Sequence, residues 1–94
     1  MKYVYPAVFE PEDGLYNVVF PDLPSCYTCG NDLTDAVFMA EDVLSGWLSR
    51  AEERGEDIPP ASDLLSVPCP DGCTRSLILA DTEAFRRTHL EEGR

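Results

Sequence analysis

One stretch constrains this chain more than any other. In LTDAVFMAEDVLSGWLSRAEER, apolar residues fall at Ala36, Val37, Ala40, Val43, Leu44, Trp47, Leu48 and Ala51. That is the i, i+3, i+4, i+7 spacing of a helix with one apolar face. Asp32 stands where an N-cap side chain would accept a hydrogen bond from a free N–H, and Asp35 adds a charge that favours the positive helix end. Gly55 follows Arg54 and supplies a natural stop. The spacing therefore predicts one helix of about 22 residues, roughly 33 Å long at 1.5 Å per residue. A helix with a single apolar stripe must lie against something, and the rest of the chain has to supply that surface.

The flanking segments read as strands. In Lys2 to Glu10 (KYVYPAVFE), Tyr3, Tyr5, Ala7 and Phe9 alternate onto one face. Pro6 has no N–H to donate, which predicts an edge-like side at that point. Pro11-Glu-Asp-Gly14 reads as a turn and Leu15 to Pro21 as a second strand, so the first two strands form a hairpin. Cys26 to Gly30 is a short candidate third strand. After the helix, Ile58-Pro59-Pro60 breaks the chain, Asp63 to Val67 reads as a short strand or loop, and Pro68 to Cys73 as a turn. Arg75 to Ala80 (RSLILA) is an apolar strand, and Asp81 can cap a last helix from Thr82 to about Leu90. The order β-β-β-α-β-α gives an α+β class: a three- to four-stranded, mainly antiparallel sheet packed by one long helix. With 94 residues, no internal repeat and no linker, residues 1–94 form a single domain with a thin core.

Charge narrows the partners. The chain has 18 acidic and 7 basic residues, a net charge of −11. That balance argues against a general electrostatic surface for bare nucleic acid or an anionic membrane, and it favours a basic protein. The same charge also serves solubility. No apolar run reaches the roughly 18 residues of a membrane span. The N-terminus lacks the apolar core and small-residue cleavage site of a signal peptide, so a cytoplasmic location and reduced thiols are expected.

Chemistry is sparse. The acids Glu10, Asp13 and Asp22 fall at a strand end or in turns, and Asp35, Glu41 and Asp42 read as a solvated helix face, so no convergent two-metal nuclease site is expected. His89 lies in a charged C-terminal segment, where a surface role is expected rather than general-base work. No Gly-rich phosphate loop, Ser nucleophile motif or Cys–His pair is present. The expectation is a non-enzyme without cofactor. The cysteines leave an alternative open. Cys26-x-x-Cys29 and Cys69-x-x-x-Cys73 could give zinc four thiolates from two tight turns. They could equally be packing thiols, because an extended Cys26–Gly30 turns Cys26 and Cys29 to opposite faces. Cys69 and Cys73 flank a turn and could pair in an oxidising setting. Phe38 lies opposite the apolar stripe and is a candidate partner contact, with the acids Asp22, Asp42 and Glu53.

Phe20-Pro-Asp-Leu-Pro24, Cys26, Gly30, the capped Leu33-x-x-Ala36 helix start and Ile58-Pro59-x-Ala61-Ser62 together resemble HicB-type antitoxins. The similarity runs from about Tyr16 to Ser62, with weaker agreement over Leu77–Phe85. The resemblance implies a partial RNase H-like fold. It also implies a toxin–antitoxin role, in which the domain covers a small basic HicA-like toxin that cleaves mRNA. Typical members add a C-terminal helix-turn-helix or ribbon-helix-helix domain. Here only residues 81–94 follow the RSLILA strand, too few for either, so direct DNA binding by this chain is not expected. The alternative is a stand-alone regulatory domain that self-associates as a dimer or tetramer through its edge strands, without a toxin.

Overall fold

The computed structural model describes residues 1–92. The elements are β1 (Lys2–Glu12), β2 (Leu15–Val19), β3 (Tyr27–Gly30), α1 (Leu33–Arg54), a 3-10 turn at Leu64–Ser66, β4 (Thr74–Asp81) and α2 (Thr82–Glu92). The four strands form one antiparallel sheet in the order β3-β2-β1-β4. α1 lies across one face of it, and α2 packs against α1. The expected element order and α+β class stand, with the sheet at four strands. Among the described residues no helix is long and apolar enough to cross a membrane.

The β1–β2 hairpin is tighter than the sequence predicts. Strand pairing continues through Pro11 opposite Tyr16 and Glu12 opposite Leu15, leaving only Asp13 and Gly14 as the loop. Both have positive φ, 50° and 82°. That is the primed turn whose twist matches the flanking strands, and Asp-Gly is one of its preferred pairs. β2 stops at Val19 rather than Pro21 because the chain then makes two turns in succession. Leu23 N–H donates to Phe20 O at 3.1 Å and Cys26 N–H to Leu23 O at 3.3 Å. Pro21 and Pro24 each take the second turn position, where their fixed φ is already correct. Ser25 takes the third position of the second turn with φ 61°. Phe20 N–H donates to Cys26 O at 3.1 Å and closes the loop. Phe20, Leu23 and Cys26 are thereby driven into the core at 1%, 2% and 1% exposure.

β1 is central but uses its two sides in different halves. Residues 2–9 pair with β4, and residues 8–12 with β2. β2 ends opposite Val8, so Pro6 faces a strand on the β4 side alone, which is the edge-like environment its missing N–H requires. Tyr5, Ala7, Phe9, Val18, Ile78 and Ala80 point to α1 and are buried with Ala36, Ala40, Leu44 and Leu48. Asp63 to Val67 forms the 3-10 turn, not a strand, and buries Val67.

α1 starts and ends as its sequence dictates. Asp32 accepts from Asp35 N–H at 2.7 Å, and the Asp35 carboxylate accepts from Asn31 N–H at 2.9 Å, a reciprocal cap. At the other end Gly55 has φ 67°. Gly55 N–H reaches Glu52 O and Glu56 N–H reaches Ala51 O, the paired bonds of a Schellman stop. At the start, β3 touches the helix. A Cβ on Gly30 would lie 2.4 Å from Ala36 N and 2.9 Å from Ala36 Cβ, so only glycine allows the approach.

Candidate functional site

α1 buries a second stripe that its apolar periodicity does not announce: Ser45, Gly46 and Ser49. These small residues receive α2. Gly46 lies under the Phe85 ring, where a Cβ would stand 3.3 Å from its Cζ. Ser49 Oγ accepts from Arg86 at 3.0 Å. A signal was present in the sequence, since Ser45 and Ser49 are one turn apart, but small residues carry little hydrophobic weight and were masked by the Leu–Trp stripe beside them.

The α1–α2 seam leaves a cleft of about 360 Å³ lined by Phe38, Glu41, Asp42, Thr88, His89 and the outer side of β4. Phe38 is 67% exposed at its rim. The structure therefore brings Phe38 and Asp42 together, and adds Glu41 beside them. Glu53 lies further along the same seam with Ser49, Phe85, Arg86 and His89. Two acids and one aromatic thus line the first cleft, and a third acid, Glu53, lines a second one. Asp22 does not join them. Its carboxylate accepts from both the backbone N–H and the hydroxyl of Ser62, tying the Phe20–Pro24 turns to the segment after α1. Tyr5 OH donates to Pro59 O in the same region. That explains physically why the FPDLP turn and the Ile58–Ser62 segment occur together in one sequence.

At the far end of the seam Glu52 holds three elements. Its carboxylate accepts from Tyr3 OH at 2.6 Å, Thr82 Oγ1 at 3.1 Å and Arg86 Nη2 at 2.9 Å. Burial works against the charge, but these bonds and the Arg86 charge outweigh it and hold the carboxyl below its ordinary range. The hydrogen bond to Glu52 is the largest reason that the Tyr3 phenol is pushed up to about 12, with burial second. Asp81 caps α2, accepting from Glu83 and Ala84 N–H groups, and the Ala84 bond leads in lowering its pKa.

The remaining candidates lie apart. Cys26 is buried, and burial pushes its thiol up to about 11. Cys29 is exposed on the sheet face away from α1. Cys69 Sγ bonds the Cys73 carbonyl at 3.3 Å. Among the described residues no three His, Cys, Asp or Glu side chains are grouped so as to hold a metal ion. His89 is exposed, stacks on Phe85 with ring centroids 3.8 Å apart and directs Nδ1 at Phe85 O.

A family model for the HicB-like antitoxin of bacterial toxin–antitoxin systems matches residues 5–87. The chain belongs to the HicB-like antitoxin family. Solved structures show the same fold. A toxin–antitoxin complex from Streptococcus pneumoniae superimposes with a TM-score of 0.83 at 22% identity, over 90% of this chain and 73% of that one. The Burkholderia pseudomallei antitoxin HicB gives a TM-score of 0.68 at 26% identity, over 81% of this chain and 61% of that one. A HicA3–HicB3 toxin–antitoxin complex gives 0.68 at 21%, over 84% and 99%. A curated relative, an uncharacterized 14.9 kDa protein of Haemophilus phage HP1, is 28% identical over 61 residues. The match covers 65% of this HicB-like chain and 46% of the phage protein, so the chain spans less than half the length of that relative.

Proposed function

We propose that this HicB-like chain is the antitoxin of a toxin–antitoxin pair and neutralises a small, basic, HicA-like toxin in the cytoplasm by covering it. The family match over residues 5–87 carries the reading. Two features of the chain support it. The net charge of −11 suits a basic partner. The α1–α2 groove offers an exposed aromatic, Phe38, flanked by Glu41 and Asp42, the combination of anchor and complementary charge that a protein interface uses. The chain acts by binding, without catalysis and without a metal or cofactor of its own.

The test is co-expression with the small basic product of the adjacent reading frame. The toxin alone arrests growth, and the wild-type chain restores it and co-purifies with it. Phe38→Ala combined with Asp42→Lys weakens the complex by about tenfold or more and leaves the fold intact, because both side chains are exposed. Absence of any complex, or rescue by the double variant equal to wild type at matched expression, would overturn the assignment of this groove.

A further inference from the structure

We propose that the cleft between α1 and α2 is a guanidinium pocket, which takes one arginine side chain of the basic toxin. The inference rests on the antitoxin reading above and adds what the groove selects. Phe38, Glu41, Asp42 and Ser45 run i, i+3, i+4, i+7 down one side of α1, facing Ala84 and Phe85 of α2. The cleft volume of about 360 Å³ stands at the small end of ligand sites, about 300–1,000 Å³, which suits one inserted side chain rather than a whole helix. Among the described residues no lysine or arginine lines it.

Ser45 is the residue that points to a ligand. It is 8% exposed, lines the cleft and forms no hydrogen bond within the described residues. Packing there needs only a small side chain. Alanine would meet that need at better helix propensity, as Ala84 does across the cleft. The hydroxyl is therefore surplus to the fold, and a nearly buried polar group without a partner costs stability until one reaches it. Two carboxylates share the cleft with it. Glu41 and Asp42 are exposed and belong to no ion pair among the described residues. Asp81 adds a third, although its Oδ1 is already committed to the cap of α2.

A guanidinium answers these groups together. It carries five N–H donors in a planar fork, enough to reach a carboxylate and a hydroxyl at once, and its weakly hydrated face stacks on aromatic rings. Phe38, 67% exposed at the rim, supplies such a ring. An ammonium is a strongly hydrated point charge with no flat face to stack, so lysine is the poorer fit. The net charge of −11 draws any basic partner toward the chain, and the cleft then distinguishes among that partner's cations.

Titration of the purified chain with N-acetyl-arginine methylamide, followed by amide NMR, should give saturable shifts confined to Phe38–Gly46 and Ala84–His89. The lysine analogue should bind about fivefold or more weakly, and the citrulline analogue, which keeps the shape without the charge, should not bind. Ser45→Ala removes a hydroxyl that bonds nothing in the free chain. It should leave urea stability unchanged or higher and still weaken the arginine probe by about threefold or more. Glu41→Gln should also weaken the probe, whereas Asp57→Asn, a change at an exposed acid outside the cleft, should not. In the toxin complex, Ser45→Ala with Glu41→Gln should lower affinity by about tenfold. One arginine-to-lysine change in the toxin should reproduce that loss and add nothing to it. Equal binding of the three probes, shifts elsewhere in the chain, or a complex indifferent to the double variant would overturn the pocket and leave the antitoxin reading intact. Absence of any complex would instead overturn the antitoxin reading, and with it the toxin as source of the arginine, whatever the probes do.

Discussion

Glu52 is the residue whose removal tests the packing scheme most directly. It joins β1 through Tyr3, and α2 through Thr82 and Arg86, and its side chain is 17% exposed. A hydrogen bond to a charged group contributes about 1.5–3 kcal/mol. Three such bonds do not add in full here, because Arg86 keeps Ser49 and is itself 35% exposed, and Thr82 keeps the Met1 carbonyl. Glu52→Ala should therefore cost about 3 kcal/mol, which at about 4–8 °C per kcal/mol for a domain of this size lowers Tm by about 12–24 °C. Glu52→Gln keeps the volume and one acceptor and should cost about half as much. The pH dependence separates an ionic role from packing. The folded-state pKa of Glu52 is lowered, so its contribution is complete above the ordinary glutamate value and is lost as pH falls through the lowered folded value. The stability gap between wild type and Glu52→Gln should thus shrink on acidification. Urea unfolding followed by the single tryptophan, Trp47, measures both variants. An Ala variant within about 0.5 kcal/mol of wild type, or a gap that widens toward low pH, would refute the reasoning.

Two further outcomes follow from the geometry. Gly30→Ala forces a Cβ to within 2.4 Å of backbone, which nothing flexible can relieve, so β3 must part from α1; a loss of about 2–4 kcal/mol in the same urea assay is expected, and a neutral result would refute the close approach. Thiol labelling at neutral pH should reach Cys29 at once and Cys26 only after unfolding, with zinc in purified protein well below one per chain. Equal labelling rates, or stoichiometric zinc, would contradict the placement of these side chains.

Strong local signals were legible in the sequence. The bounds of α1 follow from Asp32, Asp35 and Gly55, and the fourth strand and second helix from the RSLILA run and Asp81. Where the reading failed, non-local or backbone physics decided. Pro11 suggests a turn, yet it sits in a strand because the Asp13-Gly14 pair closes the hairpin more tightly. The α1–α2 groove was only half legible. Phe38 stood out as an exposed aromatic, and Glu41 and Asp42 stand three and four residues on, beside it on the same helix; the other wall of the groove depends on where α2 docks, and that is set by Ser45, Gly46 and Ser49, residues chosen for lack of bulk. Asp22 looks like a free surface acid in the sequence, and only the fold shows it committed to Ser62.

The sheet order also sets when this domain can exist at all. β1 is made first, yet one of its partners is β4, and Lys2 lies opposite Asp81. Contacts so far apart in the chain form slowly, because a long loop must close before they repay its entropy. On a ribosome adding about 5–20 residues per second, β1 waits roughly 3–14 s for β4 to be synthesised. During that interval the β4 side of β1 is an open edge, and Pro6 does not bar foreign strands from it, since the same side later accepts β4. Any product cut short before residue 81 would expose that edge permanently.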